Sequence, residues 1–429
     1  MPQLRGRTCS SAAQAQAGSG RIGFQVIING WKRPFFSVVT GIILSLLLAS
    51  NLLAQIQGAG NSDINSVLDD PLLVEEGTAG LDALYDMRYD EADSIFSLIE
   101  LRYDSHPVGP FLKALVVWWQ ILPRLEMGPT MNDYAFYDAM EQVIERSDEM
   151  LDANPEDFDA MFFKGAALGF RGRLRSNSKE WLSAATDGKE TLDLIFKIAE
   201  SDTSNADYQF GKGVYDYFAS VIPERYPIVR PMMFFFPDAD RERGLRNLRF
   251  TAQDGHFIRT EAAYFLLQIH LFYDPNFEAA RTYSQWLRDS YPQNAYFHVL
   301  EGRVFARWSQ WVQAEVIFRD VVDRHDQGRI GYNPLIASQA LYYLGFYDML
   351  RGHLDDAFVT LDRVAELGEP IPTDTYFKVN AALRRGMIHD LLDRRSEAIQ
   401  EYENVLQMED KGNAHEKAKQ YRRNPYSVQ

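Results

Sequence analysis

The side chains that could carry acid-base, nucleophilic or metal chemistry are few, and their spacing matches no catalytic motif. The chain has eight His and one Cys, Cys9. It contains no Gly-x-x-x-x-Gly-Lys phosphate loop, no Gly-x-Ser-x-Gly elbow and no His-Glu-x-x-His zinc motif. Adjacent acids such as Asp355-Asp356 fall in predicted turns and are interpreted as solvated. We therefore predict no enzyme activity, no cofactor and no metal site, although carboxylates that only the fold brings together would escape this reasoning.

Aromatic side chains, some with Arg nearby, are the set that could bind a ligand or partner. They make up 13% of the chain and recur at helical spacing. An apolar lining with a few polar groups is typical of binding sites, whereas core packing is the alternative interpretation of the same stripes. The residues that we predict on a groove are Phe111, Trp118, Trp119, Phe162, Phe163, Phe170, Tyr217, Phe265, Phe272, Tyr296, Arg303, Arg307, Tyr342, Tyr343 and Phe346.

The elements that must position these residues are indicated by one recurring pattern. A Gly is followed after 12 residues by Ala, then after 4 by a large side chain, then after 3 by a β-branched residue. Small residues let paired helices approach, and the 4-then-3 spacing keeps the larger ones on one helix face. The four instances are Gly80-Ala92-Phe96-Ile99, Gly302-Ala314-Phe318-Val321, Gly345-Ala357-Leu361-Val364 and Gly386-Ala398-Tyr402-Val405.

This pattern resembles the tetratricopeptide repeat, a helix-turn-helix unit of about 34 residues. Ala280 and Ala314 lie 34 residues apart, and short polar stretches precede the marked Ala residues. The resemblance implies an all-α, right-handed superhelical solenoid of seven to eight helical pairs, lined on its concave side by the first helix of each pair. It also implies a protein-binding role. Some members of the family hold chaperone C-terminal carboxylates with a Lys/Arg/Asn clamp; Arg303, Arg307 and Arg384 occur here without the Lys-Asn pattern, so that mode is not predicted.

Changes in composition and the positions of Gly and Pro divide the chain into segments. We predict a low-complexity extension and export signal at 1–54, a linker at 55–73, irregular repeats at 74–256, regular repeats at 257–410 and a charged tail at 411–429. The regular pairs are expected at about 257–292, 294–327, 333–369 and 374–410. In the irregular part, a basic loop with Arg171, Arg173, Arg175 and Lys179 is expected to delay one helix.

The least repeat-like stretch is 221–239, which contains four Pro around Met232-Met233-Phe234-Phe235-Phe236. Pro disfavours a regular helix there. We expect the Phe cluster to pack onto the array as a plug, with at least one of its rings nearly fully buried; a lid or a membrane-contacting loop is the alternative.

A looser similarity covers about 35 residues, from Gly211-Lys212-Gly213-Val214-Tyr215 through Ile222-Pro223-Glu224-Arg225 to Gly244-Leu245. It resembles a eukaryotic tetratricopeptide family tied to the mitochondrial outer membrane and to inclusion-body clearance. The similarity implies a shared array geometry and no transferred function.

Charge and the N-terminal segment bear on partner and compartment. The net charge is −16, which makes nucleic-acid binding through phosphate neutralisation improbable. Residues 35–54 are uncharged and apolar after Trp31-Lys32-Arg33, a pattern typical of an export signal. Because about 20 apolar residues can also span a bilayer, an uncut anchor is the alternative. No Cys follows Cys9, so the lipoprotein motif is absent and an exported mature chain would have no disulfide.

These observations predict an exported, non-catalytic scaffold that binds a protein or peptide segment, in assembly or maintenance of the cell envelope. The alternative is a carrier of an apolar small molecule or lipid in the aromatic groove, with Phe234–Phe236 as its lid and lipid contact through 221–239.

Export can be tested directly. Fractionation of cells that express the full chain should recover the protein outside the cytoplasm, and N-terminal sequencing should place its first residue near Gln55, because cleavage follows the apolar segment. Recovery of the uncut chain in the soluble cytoplasm would contradict the prediction.

Overall fold

The computed structural model describes residues 66–427 except 128–130, 228–229, 231–232 and 235. The predicted extension and signal at 1–54 and most of the predicted linker lie outside the described residues. The linker's last residues instead belong to folded elements: a turn at Val67–Asp69 and the first turn of the first helix. That helix begins at Pro71, where Pro fits without losing a hydrogen bond and the Asp70 side chain accepts from the amide of Leu72.

The described part of the chain contains seventeen α-helices and no strand, and successive helices pack as antiparallel neighbours. This confirms the predicted all-α solenoid and sets the number of pairs at eight. The helices are α1 Pro71–Tyr85 with α2 Tyr89–Arg102, α3 Val108–Ile121 with α4 Met131–Ala153, α5 Phe158–Asn177 with α6 Trp181–Ser201, α7 Gln209–Arg225 with α8 Arg241–Asp254, α9 Arg259–Gln268 with α10 Phe277–Ser290, α11 Ala295–Arg307 with α12 Trp311–Asp326, α13 Pro334–Leu350 with α14 Leu354–Gly368, α15 Tyr376–Leu391 with α16 Arg395–Gln407, and the terminal α17 Ala414–Arg423.

Five pairs share one tight turn between their two helices. In each of them, the residue two positions before the second helix adopts the left-handed conformation, with φ between 57° and 76°. Only one of the five is Gly, so the others accept a conformation that L-residues rarely adopt. The turn is therefore fixed by the packing of the pair around it. The residues are Met87, Lys179, Ser309, Gly352 and Asp393.

The repeat register is confirmed by burial at the paired helices. Ala314, Ala357 and Ala398 are fully buried, and the Gly residues 302, 345 and 386 are buried as well. A Cβ built on Gly302 would lie 2.5 Å from Cε1 of Phe318. The first helix therefore needs Gly at this position for the large side chain of the second helix to fit.

Two expectations for the irregular half were wrong. The basic stretch is no loop, because Arg171, Arg173 and Arg175 lie within α5, whose connection to α6 is only three residues long. Arg171 and Arg175 instead bind the buried carboxylate of Asp187 on α6, at 2.8 and 2.7 Å. The helix before the insertion also continues through Pro223 to Arg225, because Pro there interrupts only the last turn.

The Phe cluster of the insertion does not form the expected plug in the residues described. Phe234 is 86% exposed. Phe236 is half-buried and packs against the cluster of Tyr217 and Phe218, while Phe235 lies outside the described residues. The insertion is fastened through its backbone, since the hydroxyl of Tyr215 donates to the carbonyl of Pro237 at 2.6 Å.

The first pair closes the array by packing on the fifth and sixth pairs. The ring of Tyr85 lies 5.4 Å from that of Tyr291, and the amide of Asn294 donates to the Tyr85 carbonyl at 2.6 Å. The carboxylate of Asp86 accepts from the backbone of Gln293 at 2.8 Å. Pairs one to six therefore form a closed ring with an aromatic centre, and the two C-terminal pairs continue from it.

No helix within the described ranges is long and apolar enough to cross a membrane. The predicted tail forms α17, which buries Ala414 and Ala418 against the last pair. The predicted division at 256/257 falls in the connection between α8 and α9. The division itself stays a prediction.

Overpacking the paired contact should destabilise the array. Ala314→Leu should lower the free energy of unfolding by about 1–3 kcal/mol, because the added carbons have no space between the helices. The neighbouring exposed position serves as the control, so Gln313→Leu should change it by less than about 0.5 kcal/mol. Urea denaturation monitored by circular dichroism measures both; equal effects would contradict the register.

Candidate functional site

An apolar cavity of about 240 Å³ lies on the inner side of the closed ring. Its walls come from α3, α5, α6, α7 and α9, with Tyr85 at the end of α1. Nearly all of the lining atoms are apolar, and the aromatic wall is formed by Phe111, Phe162, Phe163, Phe170, Phe210 and Phe265. Phe170, Phe210 and Phe265 are only half-buried, so the cavity opens to solvent.

Three charged side chains, Arg173, Asp207 and Glu261, lie in the wall of this cavity. The Arg173 guanidinium lies 5.1 Å from the Trp118 ring centroid and 6.0 Å from that of Phe265. A carboxylate oxygen of Glu261 accepts from the Trp119 indole at 3.2 Å. Burial raises the pKa of Glu261 to about 7, although the positive charge of Arg173 and the Trp119 hydrogen bond act to lower it. Near neutral pH, Glu261 is therefore partly protonated.

A second surface lies on the inner side of the sixth to eighth pairs, where Arg and Lys are interleaved with aromatic rings. Arg303 and Arg307 lie 5.4 and 5.2 Å from the ring of Phe272. Arg384 lies 3.7 Å from the ring centroid of Phe346 and donates to the Tyr342 hydroxyl at 3.1 Å. We call this group the basic inner face; it consists of Arg225, Phe272, Arg303, Arg307, Tyr342, Tyr343, Phe346, Tyr376, Arg384 and Lys417. Its Tyr rings, Phe346, Arg307 and Arg384 are buried, whereas Phe272, Arg303 and Lys417 are half-buried and Arg225 is exposed.

The cations of the basic inner face influence one another. Burial lowers the pKa of Lys417 to about 8, and the charge of Arg384 lowers it further. Burial also lowers the pKa of Arg307 to about 10, and Arg303 and Arg225 act in the same direction. Within the described residues, neither Arg384 nor Lys417 forms an ion pair with an acid, and the buried Nε of Arg384 makes no hydrogen bond. The local potential is thus positive on a chain whose net charge is negative.

The predicted groove residues fall into two groups in the structure, plus a set that belongs to the core. Phe111, Phe162, Phe163, Phe170 and Phe265 line the cavity. Phe272, Arg303, Arg307, Tyr342, Tyr343 and Phe346 belong to the basic inner face, and Tyr296 lies between the groups, with its hydroxyl 3.1 Å from that of Tyr264.

The placement of Trp118, Trp119 and Tyr217 on a groove needs correction. All three are fully buried in the core, and Phe163, Tyr342 and Tyr343 are buried almost as completely. Trp119 packs 5.1 Å from Tyr85 and 5.4 Å from Phe297 at the centre of the ring. The inner side of α3 is filled there because the first pair folds back over it.

Sequence reasoning missed Arg173 and Glu261 of the cavity, although the sequence contains a signal for each of them. Phe162, Ala166, Phe170 and Arg173 are spaced by 4, 4 and 3 residues, which places them on one face of α5. Glu261 precedes Phe265 by one helical turn on α9. Lys417 carried no such signal, because its place beside Arg384 depends on how α17 folds against α15.

The described ranges contain no group of three or more His, Cys, Asp and Glu side chains that could hold a metal ion. The perturbed acid at the cavity, Glu261, faces an apolar space with no second acid in hydrogen-bond contact among the described residues. The arrangement offers binding surfaces for apolar and anionic groups.

Comparisons with known proteins add little to this geometry. No protein-family model matches the chain, and no curated protein matches it. The crystal structure of yeast Tom70 is similar over 82% of this chain and 95% of that chain, with 11% identical residues and a TM-score of 0.25. A similarity of that score supports no conclusion about fold or function, and the fold described above follows from the helices of this chain alone.

The buried carboxyl of Glu261 should make stability depend on pH. Its pKa in the folded state lies above its ordinary value of 4.5. The contribution of the protonated carboxyl to the free energy of unfolding is therefore complete below pH 4.5 and is lost as the pH rises through 7. Glu261→Gln keeps the acceptor for Trp119 and cannot ionise. Between pH 5 and pH 8, the variant should therefore gain on the order of 2–3 kcal/mol of unfolding free energy relative to the unsubstituted chain.

Urea denaturation at the two pH values measures this difference. Glu278→Gln, at an exposed site on α10, is the matched control and should show no such gain. If the stability difference between Glu261→Gln and the unsubstituted chain were the same at both pH values, the pKa of the Glu261 carboxyl would not be raised.

Proposed function

We propose that the protein is a non-catalytic scaffold that binds an acidic protein or peptide segment on the basic inner face. The observation that carries the proposal is the grouping of Arg384 and Lys417 with aromatic rings and no acidic partner within the described residues. Burying like charges together costs free energy, and an anionic partner would recover part of it. The resemblance to tetratricopeptide proteins, which bind segments on their concave side, supports the same role.

The chemistry of the surface defines the partner. Arg binds carboxylates through planar, charge-assisted hydrogen bonds, and aromatic rings supply contact area for apolar side chains. The recess among Tyr343, Tyr376 and Arg384 has only about 20 Å³, enough for little more than a water molecule. The partner should therefore lie along the surface as an extended or helical segment that combines Asp or Glu with apolar residues.

The compartment belongs to the same proposal. The apolar segment 35–54 after Trp31-Lys32-Arg33 supports export, and we place the scaffold in the cell envelope, where it would serve assembly or maintenance. The exposed ring of Phe234 is consistent with membrane contact through 221–239, and that contact stays a prediction.

Peptide binding tests the role of the face. A fluorescent peptide of alternating Glu and Tyr should bind, and one of alternating Lys and Tyr should not. Binding should weaken as ionic strength rises, because Arg225 is exposed and Arg303 and Lys417 are half-buried, so salt screens their charges. The double variant Arg384→Gln, Lys417→Gln should weaken binding by at least about tenfold, the effect of losing charge-assisted contacts.

The control is Lys189→Gln, Lys197→Gln, which makes the same change in net charge on exposed positions of α6. Its affinity for the acidic peptide should match that of the unsubstituted chain. Equal losses in both double variants, or equal binding of both peptides, would refute a specific acidic-segment site.

A further inference from the structure

The apolar cavity of the closed ring has the size and shape for one flexible chain. Its volume of about 240 Å³ exceeds the ~150 Å³ of an engineered apolar cavity that binds benzene. It remains below the ~300 Å³ at which pockets for drug-sized ligands begin. A two-chain lipid would not fit in it, whereas a single alkyl chain would.

The cavity is also accessible. Val214 on α7 and Phe265 on α9 line it and are only half-buried, as is Phe170 on α5. A ligand can thus enter from the inner side of the ring without an opening of the core. The opposite wall is closed by buried side chains, among them Leu112, Leu168 and Ile198.

The polar groups in the wall define the other end of the ligand. Asp207 is satisfied, because three successive backbone amides, of residues 256 to 258, donate to it at 3.1, 3.2 and 2.9 Å. Glu261 is held by Trp119. Arg173 differs, since among the described residues its buried Nε has no hydrogen-bond partner. Its guanidinium lies over the rings of Trp118 and Phe265, and its charge lowers the pKa of Glu261. A buried donor left unsatisfied costs free energy that a carboxylate could remove.

We propose that the cavity binds a single-chain amphiphile with one carboxylate, that is, a fatty acid, with its alkyl chain among the Phe rings and its carboxylate on Arg173. The guanidinium presents a planar pair of donors that matches a carboxylate. This site is separate from the basic inner face, so it adds a ligand to the proposed scaffold and does not depend on it.

Calorimetric titration tests the ligand class, with each amphiphile kept below its critical micelle concentration. Dodecanoate should bind, while dodecanol should bind at least about tenfold more weakly and dodecyltrimethylammonium not at all, because only the carboxylate pairs with Arg173. From octanoate to decanoate to dodecanoate, affinity should rise about tenfold per step, since each step buries two more methylenes. Tighter binding of dodecyl phosphate than of dodecanoate would overturn the assignment of the head group.

Variants locate the site. Arg173→Gln should weaken dodecanoate binding by at least about tenfold and leave dodecanol unchanged, whereas Arg281→Gln, the same change at an exposed position of α10, should leave both unchanged. Glu261→Gln should bind dodecanoate as tightly or more tightly, because it removes a competing carboxylate.

A cavity-filling variant keeps the proposal testable if Arg173→Gln folds poorly. Val214→Trp should abolish dodecanoate binding without lowering the melting temperature, because the indole occupies the empty space, and should leave binding of the acidic peptide unchanged. Full dodecanoate binding by folded Val214→Trp, or no binding of any alkyl carboxylate to the unsubstituted chain, would overturn the proposal.

Discussion

Four pairs in this chain, the first and the last three, depend on one close contact, in which a Gly of the first helix faces a large side chain of the second. A Cβ built on Gly386 would lie 2.5 Å from Cε1 of Tyr402, and one built on Gly345 would lie 2.7 Å from Cγ of Leu361. With only hydrogen there, Tyr402 and Leu361 become fully buried, which stabilises each pair by roughly 1.5–3 kcal/mol per side chain. The remaining apolar faces must then be covered by the neighbouring pairs, so the array follows from the pair.

Closure of the ring separates the inner surface into two regions with different chemistry. Where the first pair folds back, the inner side is filled by Trp119 and its aromatic neighbours, and only the cavity beside Arg173 stays open. In the last two pairs, α17 packs against α15, and the buried rings of Tyr342 and Phe346 lie against Arg384. The position of closure along the chain therefore determines which aromatic residues pack at the centre of the ring.

The sequence predicted the pairs well because their determinants are local. Gly302, Ala314, Phe318 and Val321 lie within one pair, and helical spacing alone places them together. It failed where contacts join distant segments: Tyr291 bonds to Asp82 across 209 residues, and no periodicity indicates that Trp119 should lie at the centre of a ring. The candidate site shows the same division. Helix faces predict five Phe of the cavity, Phe111, Phe162, Phe163, Phe170 and Phe265, but not Phe210. The sequence places Arg173 in a loop, because it does not predict a helix as long as α5.

The turn and the closure are linked through one residue. Met87 occupies the left-handed position of the first tight turn, with φ at 61°. Its side chain enters the cluster of Ala295 and Val299 and lies against Gly331, where a built Cβ would be 2.4 Å from the Met87 sulfur. Gly331 has φ of +82°, so the connection before α13 needs Gly both for its conformation and for this contact. The same turn that pairs α1 with α2 thus presents the side chain that fastens the first pair to the sixth and seventh. Because Tyr85 ends α1 two residues earlier and forms part of the cavity wall, this contact helps to hold that part of the wall in place.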